Sequence, residues 1–162
     1  MIIPFLLINC SKNKNDDLPK VEISKEKRLE NRGVIYRCND REDFDFGEKS
    51  KINFVNDSIL KIKNSSNDGY ESHQIEILIN KNLEIVKMDY SYSDDVEDGT
   101  KSYYNIEKAN VYLNKDPYKD GLGNIRGGFL LDVKVEDKPS EFYKRSKIYH
   151  EKIEGTFECS SN

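Results

Sequence analysis

The side chains able to do acid–base or nucleophilic chemistry are few and scattered. The chain has two histidines, His73 and His150, and three cysteines, Cys10, Cys38 and Cys159. No serine, cysteine or aspartate near either histidine has the spacing of a nucleophile beside its base. His73 follows the apolar parity of its segment and reads as a partly buried, hydrogen-bonded histidine. His150 falls on the opposite parity to Ile153 and Phe157 and reads as solvent-facing. The cysteines and histidines also lack the paired spacing of a zinc site. The run Gly121-Leu122-Gly123-Asn124-Ile125-Arg126-Gly127-Gly128 is glycine-rich. A phosphate-cradling loop needs a strand before it and a helix after it. Here a strand follows, so the run reads as a hairpin loop. Asp116, Asp120 and Gly121 begin like a calcium loop, but Tyr118 and Gly127 stand at the third and twelfth positions and break that pattern. These absences lead us to expect no enzyme, no cofactor and no dedicated metal site. Loose calcium binding at 116–121 or 94–98 is the alternative.

The stretch that suggests recognition is rich in tyrosine and acid. Tyr90 and Tyr92 run into Asp94, Asp95, Glu97 and Asp98, and Tyr103 and Tyr104 run out. Tyrosine offers a large amphipathic anchor, and carboxylates steer a basic partner. The plainer alternative is that the tyrosines pack on the sheet while the acids solvate a turn. A net charge of −4 argues against nucleic acid, which is bound through a basic face.

The elements that must hold these residues read as strands. The chain has 162 residues, enough for one domain of ordinary size, with 36% hydrophobic and 35% charged residues, so the core is modest. Ten tyrosines and seven phenylalanines suit β-structure. Strands are expected over 34–38, 51–56, 58–63, 70–79, 83–92, 103–114, 127–136 and 146–159, with Asn56-Asp57 and Asn80-Lys81-Asn82 as turns. The pattern is cleanest in 127–136, where Phe129, Leu131, Val133 and Val135 share one face. In 83–92 the apolar parity changes midway, the mark of a bulge or of two covered faces. Residues 39–50, 93–102 and 115–126 read as loops. No 3.6-residue period is sustained. The expected architecture is all-β, a single antiparallel β-barrel or β-sandwich of eight or nine strands.

The amino-terminal part reads differently. Residues 1–9 are apolar apart from Asn9 and carry no charge, and a polar run follows Cys10 at once. The apolar run is too short to span a bilayer and is placed like the core of an export signal. Leu7-Ile8-Asn9-Cys10 resembles the lipobox of bacterial lipoproteins, with Asn9 where a small residue is usual. Lys14 followed by Asp16 and Asp17 is similar to the surface-export tags of Bacteroidota lipoproteins. The resemblance implies that 1–9 is a signal-like segment, that Cys10 carries the lipid, and that the protein is exported to the cell envelope as an outer-membrane lipoprotein on its periplasmic or surface face. Residues 10–32, polar and poor in apolar side chains, would then be a flexible charged tether, with a short helix over 24–31 as the alternative. The β-domain would cover 33–162. With Cys10 lipidated, Cys38 and Cys159 remain as an even pair in an oxidising compartment, which reads as one disulfide between the first and last strands.

A second resemblance covers about forty residues. Tyr36-Arg37-Cys38, Ile52–Leu60 and Ser66-Asn67-Asp68-Gly69-Tyr70 are similar in order and spacing to the small exported inhibitors of c-type lysozymes, which are disulfide-bearing β-barrel lipoproteins. That resemblance implies an inhibitor of a lysozyme or toxin. The expected function is therefore a non-catalytic binding or inhibitory role towards a protein partner of basic charge. A structural envelope component without a discrete site is the alternative. Anchoring has a direct check. Cys10→Ala should move the protein from the membrane fraction to the soluble fraction of cells, and an unchanged fractionation would rule out Cys10 as the anchor.

Overall fold

A computed structural model describes residues 19–24, 34–38, 47–95, 101–139 and 144–159. Nine strands form one mixed sheet, curled into a half-barrel. In chain order they are β1 (Glu22–Ile23), β2 (Val34–Cys38), β3 (Gly47–Asn56), β4 (Ile59–Asn67), β5 (Glu71–Asn80), β6 (Ile85–Asp94), β7 (Lys101–Leu113), β8 (Ile125–Lys138) and β9 (Lys147–Cys159), with one short helix, α1 (Pro117–Asp120), between β7 and β8. Across the sheet the order is β1-β7-β8-β9-β2-β3-β4-β5-β6.

The all-β expectation holds, with one difference in strand direction. β2 lies between β9 and β3 and runs parallel to both, and β1 runs parallel to β7. The remaining pairs are antiparallel. The disulfide expected between the first and last strands already puts β2 beside β9, but the alternation within five-residue β2 carries nothing about the sense in which it runs, so its parallel pairing was not readable.

Alternation dictates the core. Leu60 and Ile62 on β4, Ile75, Ile77 and Ile79 on β5, and Phe129, Leu131, Val133 and Val135 on β8 are fully buried. Each set occupies every second residue, so one face of each strand is driven inward by apolar burial. Bulges correct the parity where the sequence breaks it. Ile79 faces Ile85 while Leu78 faces Lys87, so Val86 is an extra residue on β6. Ile85 and then Met88, Tyr90 and Tyr92 can thus all face inward. On β7, Ile106 faces Val133 while Lys108 faces Asp132, making Glu107 the extra residue. That bulge turns both Tyr104 and Ala109 to the same side.

Two glycines within strands allow rings to lie flat on the sheet. A Cβ on Gly155 would stand 2.5 Å from the Phe129 ring and 2.8 Å from the Tyr36 ring. One on Gly127 would meet the Tyr112 carbonyl at 2.4 Å and the Phe157 ring at 2.5 Å. Gly127 and Gly128, read above within a glycine-rich loop, belong to β8.

Cys38 and Cys159 form a disulfide with a sequence separation of 121. They follow the paired Arg37 and Glu158 on parallel β2 and β9, so the bond joins neighbouring strands near one end of the sheet. Closing a loop that long stabilises by about 5 kcal/mol in the chain-entropy account. A cross-strand disulfide fits an oxidising, exported location.

β6 is one edge of the sheet, and β7, with two-residue β1 paired to one end of it, stands at the other; the two are consecutive in sequence, yet among the described residues no backbone ladder joins them. At one end the gap is bridged by residues 19–24. The Ile85 amide donates to the Pro19 carbonyl, and the Val21 amide donates to the Leu83 carbonyl. Glu22 and Ile23 then pair with Tyr112 and Leu113, and the Ser24 amide donates to the Leu113 carbonyl. Val21 is buried against the core. Residues 19–24 fall within the stretch expected over 10–32 to be a charged tether, and there they pair with the sheet. A single buried valine and backbone hydrogen bonds hold them, neither of which stands out in a charged segment. The helix expected over 24–31 lies outside the described residues from 25 onward.

The same end of the half-barrel is covered by the segment after β7. Asp116 caps α1 by accepting from the Tyr118 amide. The Tyr118 hydroxyl accepts from the Leu60 amide at 2.8 Å and donates to the Ile79 carbonyl at 2.7 Å, and its ring lies 5.2 Å from that of Phe54. The aspartate that began like a calcium loop is a helix cap.

A close approach this tight should not admit one methyl group. Gly155→Ala should lower the urea midpoint by the equivalent of about 1–3 kcal/mol with an unchanged slope. An unchanged midpoint would mean that the Phe129 and Tyr36 rings have room to move.

Candidate functional site

At the end of the half-barrel opposite residues 19–24, the gap between β6 and β7 widens into a cleft of about 610 Å³. It is lined by His73 from β5, Tyr90, Tyr92, Ser93 and Asp94 from β6, and Ser102 and Tyr104 from β7. Asp137 from β8 and Tyr149 and Glu151 from β9 complete the lining. The strands place most of these side chains by continuing their inward parity. Asp137 follows Phe129, Leu131, Val133 and Val135 on the same alternation, and Glu151 stands between Tyr149 and Ile153 on the inward face of β9. As each strand nears this end, its inward residues change from aliphatic to polar.

Aromatic rings span the gap where backbone bonds do not. The Tyr90 and Tyr104 rings meet edge to face at 5.2 Å, and Tyr92 and Tyr104 lie 6.5 Å apart. His73 packs 4.8 Å from Tyr92, and its Nδ1 hydrogen-bonds the Tyr90 hydroxyl at 2.8 Å. The Ser102 hydroxyl donates to Asp137 at 2.8 Å. The Tyr92 hydroxyl points to Asp94 at 3.4 Å.

The electrostatics run one way. Burial pushes the Tyr36 phenol up to about 12, helped by the Glu48 carboxylate. Burial also raises Tyr90, reinforced by Tyr104 and Glu151. Burial comes first again for Tyr92, followed by Glu71 and Asp94. Tyr104 and Tyr149 are raised by burial and then by neighbouring carboxylates, Glu151 and Asp137 among them. The cleft therefore holds its phenols neutral and presents carboxylates beside them. Among the described residues, neither Asp137 nor Glu151 makes an ion pair with a lysine or arginine.

The residues expected from sequence to form a recognition surface divide here. Tyr90, Tyr92, Asp94 and Tyr104 line the cleft. Tyr103 does not. It is half exposed on the outer face, with the Lys138 ammonium 4.3 Å from its ring centre. Its neighbour Tyr104 takes the inward parity, so Tyr103 must point away. Asp95 is exposed at the end of β6, where its amide donates to the Tyr70 carbonyl, and it is not part of the lining. Glu97 and Asp98 lie outside the described residues. His150 is exposed as expected, 3.3 Å from Glu107. His73 is partly buried and hydrogen-bonded, and it also lines the cleft.

Sequence reasoning missed Ser93, Ser102, Asp137, Tyr149 and Glu151 as partners in this site. The available signal was a polar residue on an inward parity, which Glu151 and Asp137 both show. Among the described residues no group of three or more metal-ligating side chains is assembled. Comparison of the chain with family models, with curated proteins and with solved structures returns no match.

The raised phenols have a measurable consequence. Below pH 10 both folded and unfolded chains keep the phenols protonated, and their contribution to stability is fully present. Between pH 10 and about 12 the unfolded chain releases protons that folded Tyr36 retains, so stability falls as pH rises through that window. An ultraviolet phenolate titration of the native protein should show a delayed class of tyrosines that merges with the rest in denaturant. A single native transition near 10 would contradict the burial described here.

Proposed function

We propose that this protein is an exported, lipid-anchored binding protein of the cell envelope that grips a basic protein partner without performing chemistry on it. The observation that carries the reading is the cleft: tyrosine rings and carboxylates, gathered from four strands at one end of the half-barrel, with no lysine or arginine among the described residues of the lining. Rigid aromatic rings provide contact area at low entropic cost, and the carboxylates attract and orient a cationic surface. Sites placed on strands hold their geometry better than sites placed on loops.

Orientation supports the same reading. Residues 19–24 lie at the end of the sheet remote from the cleft. With Cys10 lipidated, the chain between Cys10 and Pro19 reaches at most about 30 Å when extended. The anchor then holds the far end near the membrane and turns the cleft away from it. The disulfide, the lipobox-like Leu7–Cys10 and this placement are consistent with one another. An outer-membrane lipoprotein acting as an inhibitor of a lysozyme or toxin is the narrower form of the proposal, and it rests on the resemblance of 36–38, 52–60 and 66–70. The role of a purely structural envelope component is less favoured, because it gives no role to a cleft lined by tyrosine rings and carboxylates.

The test is capture from envelope extract. The wild-type protein should retain one stoichiometric basic partner. The Asp94→Lys/Asp137→Lys variant should lose it, while Asp57→Lys/Asp120→Lys, an equal charge change at exposed positions of the opposite end, should keep it. Melting temperatures should be compared so that a folding defect is not mistaken for lost binding. Equal capture by all three proteins would remove the cleft as the site.

A further inference from the structure

We infer that the cleft is a receptor for an alkylammonium group, the chemistry of a lysine side chain, seated among the rings of Tyr92, Tyr104 and Tyr149 and neutralised by Asp137 and Glu151. This deepens the reading of the cleft as the site for a basic partner and rests on it. Three observations carry it. First, the cleft is a walled volume of about 610 Å³, large enough for a side chain or a small amine. Second, Asp137 and Glu151 face into it without a basic partner among the described residues. Among the described residues Asp137 accepts only the Ser102 hydroxyl and Glu151 is exposed at the mouth, so the cleft keeps a net negative charge that attracts a cationic occupant over a neutral one.

Third, an ammonium already sits on one of these rings. Lys147 lies across from Asp137 in the β8–β9 ladder, and its Nζ is 4.7 Å from the centre of the Tyr149 ring. An ammonium over a tyrosine face beside carboxylates is a cation–π arrangement. Lys147 is exposed at the start of β9 and bears on the ring from the rim, so it occupies one face of Tyr149. It acts as a resident competitor, and an incoming ammonium must displace it or share the ring.

The test is titration of the folded protein, followed by NMR of its tyrosine and backbone resonances. The probes are the diamine cadaverine, the neutral diol pentanediol as its uncharged counterpart, and a capped tri-lysine peptide. Cadaverine and the peptide should shift resonances of Tyr90, Tyr92, Tyr104 and Tyr149, and pentanediol should not. Glu151→Gln/Asp137→Asn keeps the shape and the Ser102 hydrogen bond but removes both charges, and should weaken binding roughly tenfold or more. Lys147→Ala should tighten it several-fold, a gain that a merely structural lysine would not give. Tighter binding of the peptide identifies a protein-borne lysine as the natural occupant, and tighter binding of cadaverine identifies a free polyamine. Equal shifts with pentanediol, or an affinity untouched by Glu151→Gln/Asp137→Asn, would overturn the inference. Partner capture that survives Glu151→Gln/Asp137→Asn leaves the binding role standing and sinks the ammonium site. Ammonium binding without any captured protein does the reverse.

Discussion

The structure turns on the absent ladder between β6 and β7. These strands are neighbours in sequence and stand at opposite ends of the curled sheet, β7 bordered there only by two-residue β1, yet among the described residues they are not paired. An unpaired edge carries backbone amides and carbonyls that must find water or another partner, and it invites association with foreign strands. The molecule deals with its edges in three ways along their length. Residues 19–24 hydrogen-bond to both strands at one end. Rings of Tyr90 and Tyr104 meet across the gap further along. Each edge strand also carries a bulge, at Val86 and at Glu107, which adds local twist and spoils a flat edge. Among the described residues, the cleft is what these three leave open.

The bulges do more than protect an edge. Without Val86 as an extra residue, Ile85 and Tyr90 could not both face inward, because a one-residue step reverses the side of every later side chain. The same holds for Tyr104 and Ala109 on either side of Glu107. The inner wall of β6 and β7 is therefore aliphatic towards residues 19–24 and aromatic towards the cleft, each half placed by its own parity. The aliphatic half joins the buried core with Leu113 and Val111, and the aromatic half lines the cleft. One irregularity per strand lets a single sheet serve both purposes.

How much of this the sequence reveals depends on which interaction decides each element. β8 is dictated by burial on one face, and its alternation from Phe129 to Val135 is plain to read. The parity change within 83–92 was equally visible and marks the Val86 bulge. The change at Glu107 was hidden, because Tyr103 and Tyr104 are adjacent and either could be the inward one. That ambiguity is why Tyr103 entered the expected surface although it belongs to the outer face. The docking of residues 19–24 was hidden for a different reason. It is held mainly by backbone hydrogen bonds, which every residue type can make, and by Val21 alone among apolar side chains. The pairing of Cys38 with Cys159 followed from counting thiols, whereas the parallel sense of β2 between β9 and β3 did not, since register across a distant pair leaves no local trace.

Asp137 and Glu151 show where pattern reading has more to give. In a half-buried strand an acid is ordinarily read as outward, and a charged residue in phase with valine or isoleucine looks like noise at the frayed end. Asp137 is half-buried and Glu151 exposed, yet both keep the inward phase of their strands and place negative charge beside the tyrosine rings. Among the described residues no lysine or arginine forms a salt bridge with either. The nearby phenols are pushed towards their neutral form and cannot supply positive charge. Lys147 reaches the Tyr149 ring from the rim only. On the proposed reading this charge is balanced by water or by a cation that arrives from outside, and a wall of tyrosine rings makes an organic cation the better fit. An acid in the inward phase at the open end of a curled sheet then matches a ligand's charge with the opposite sign.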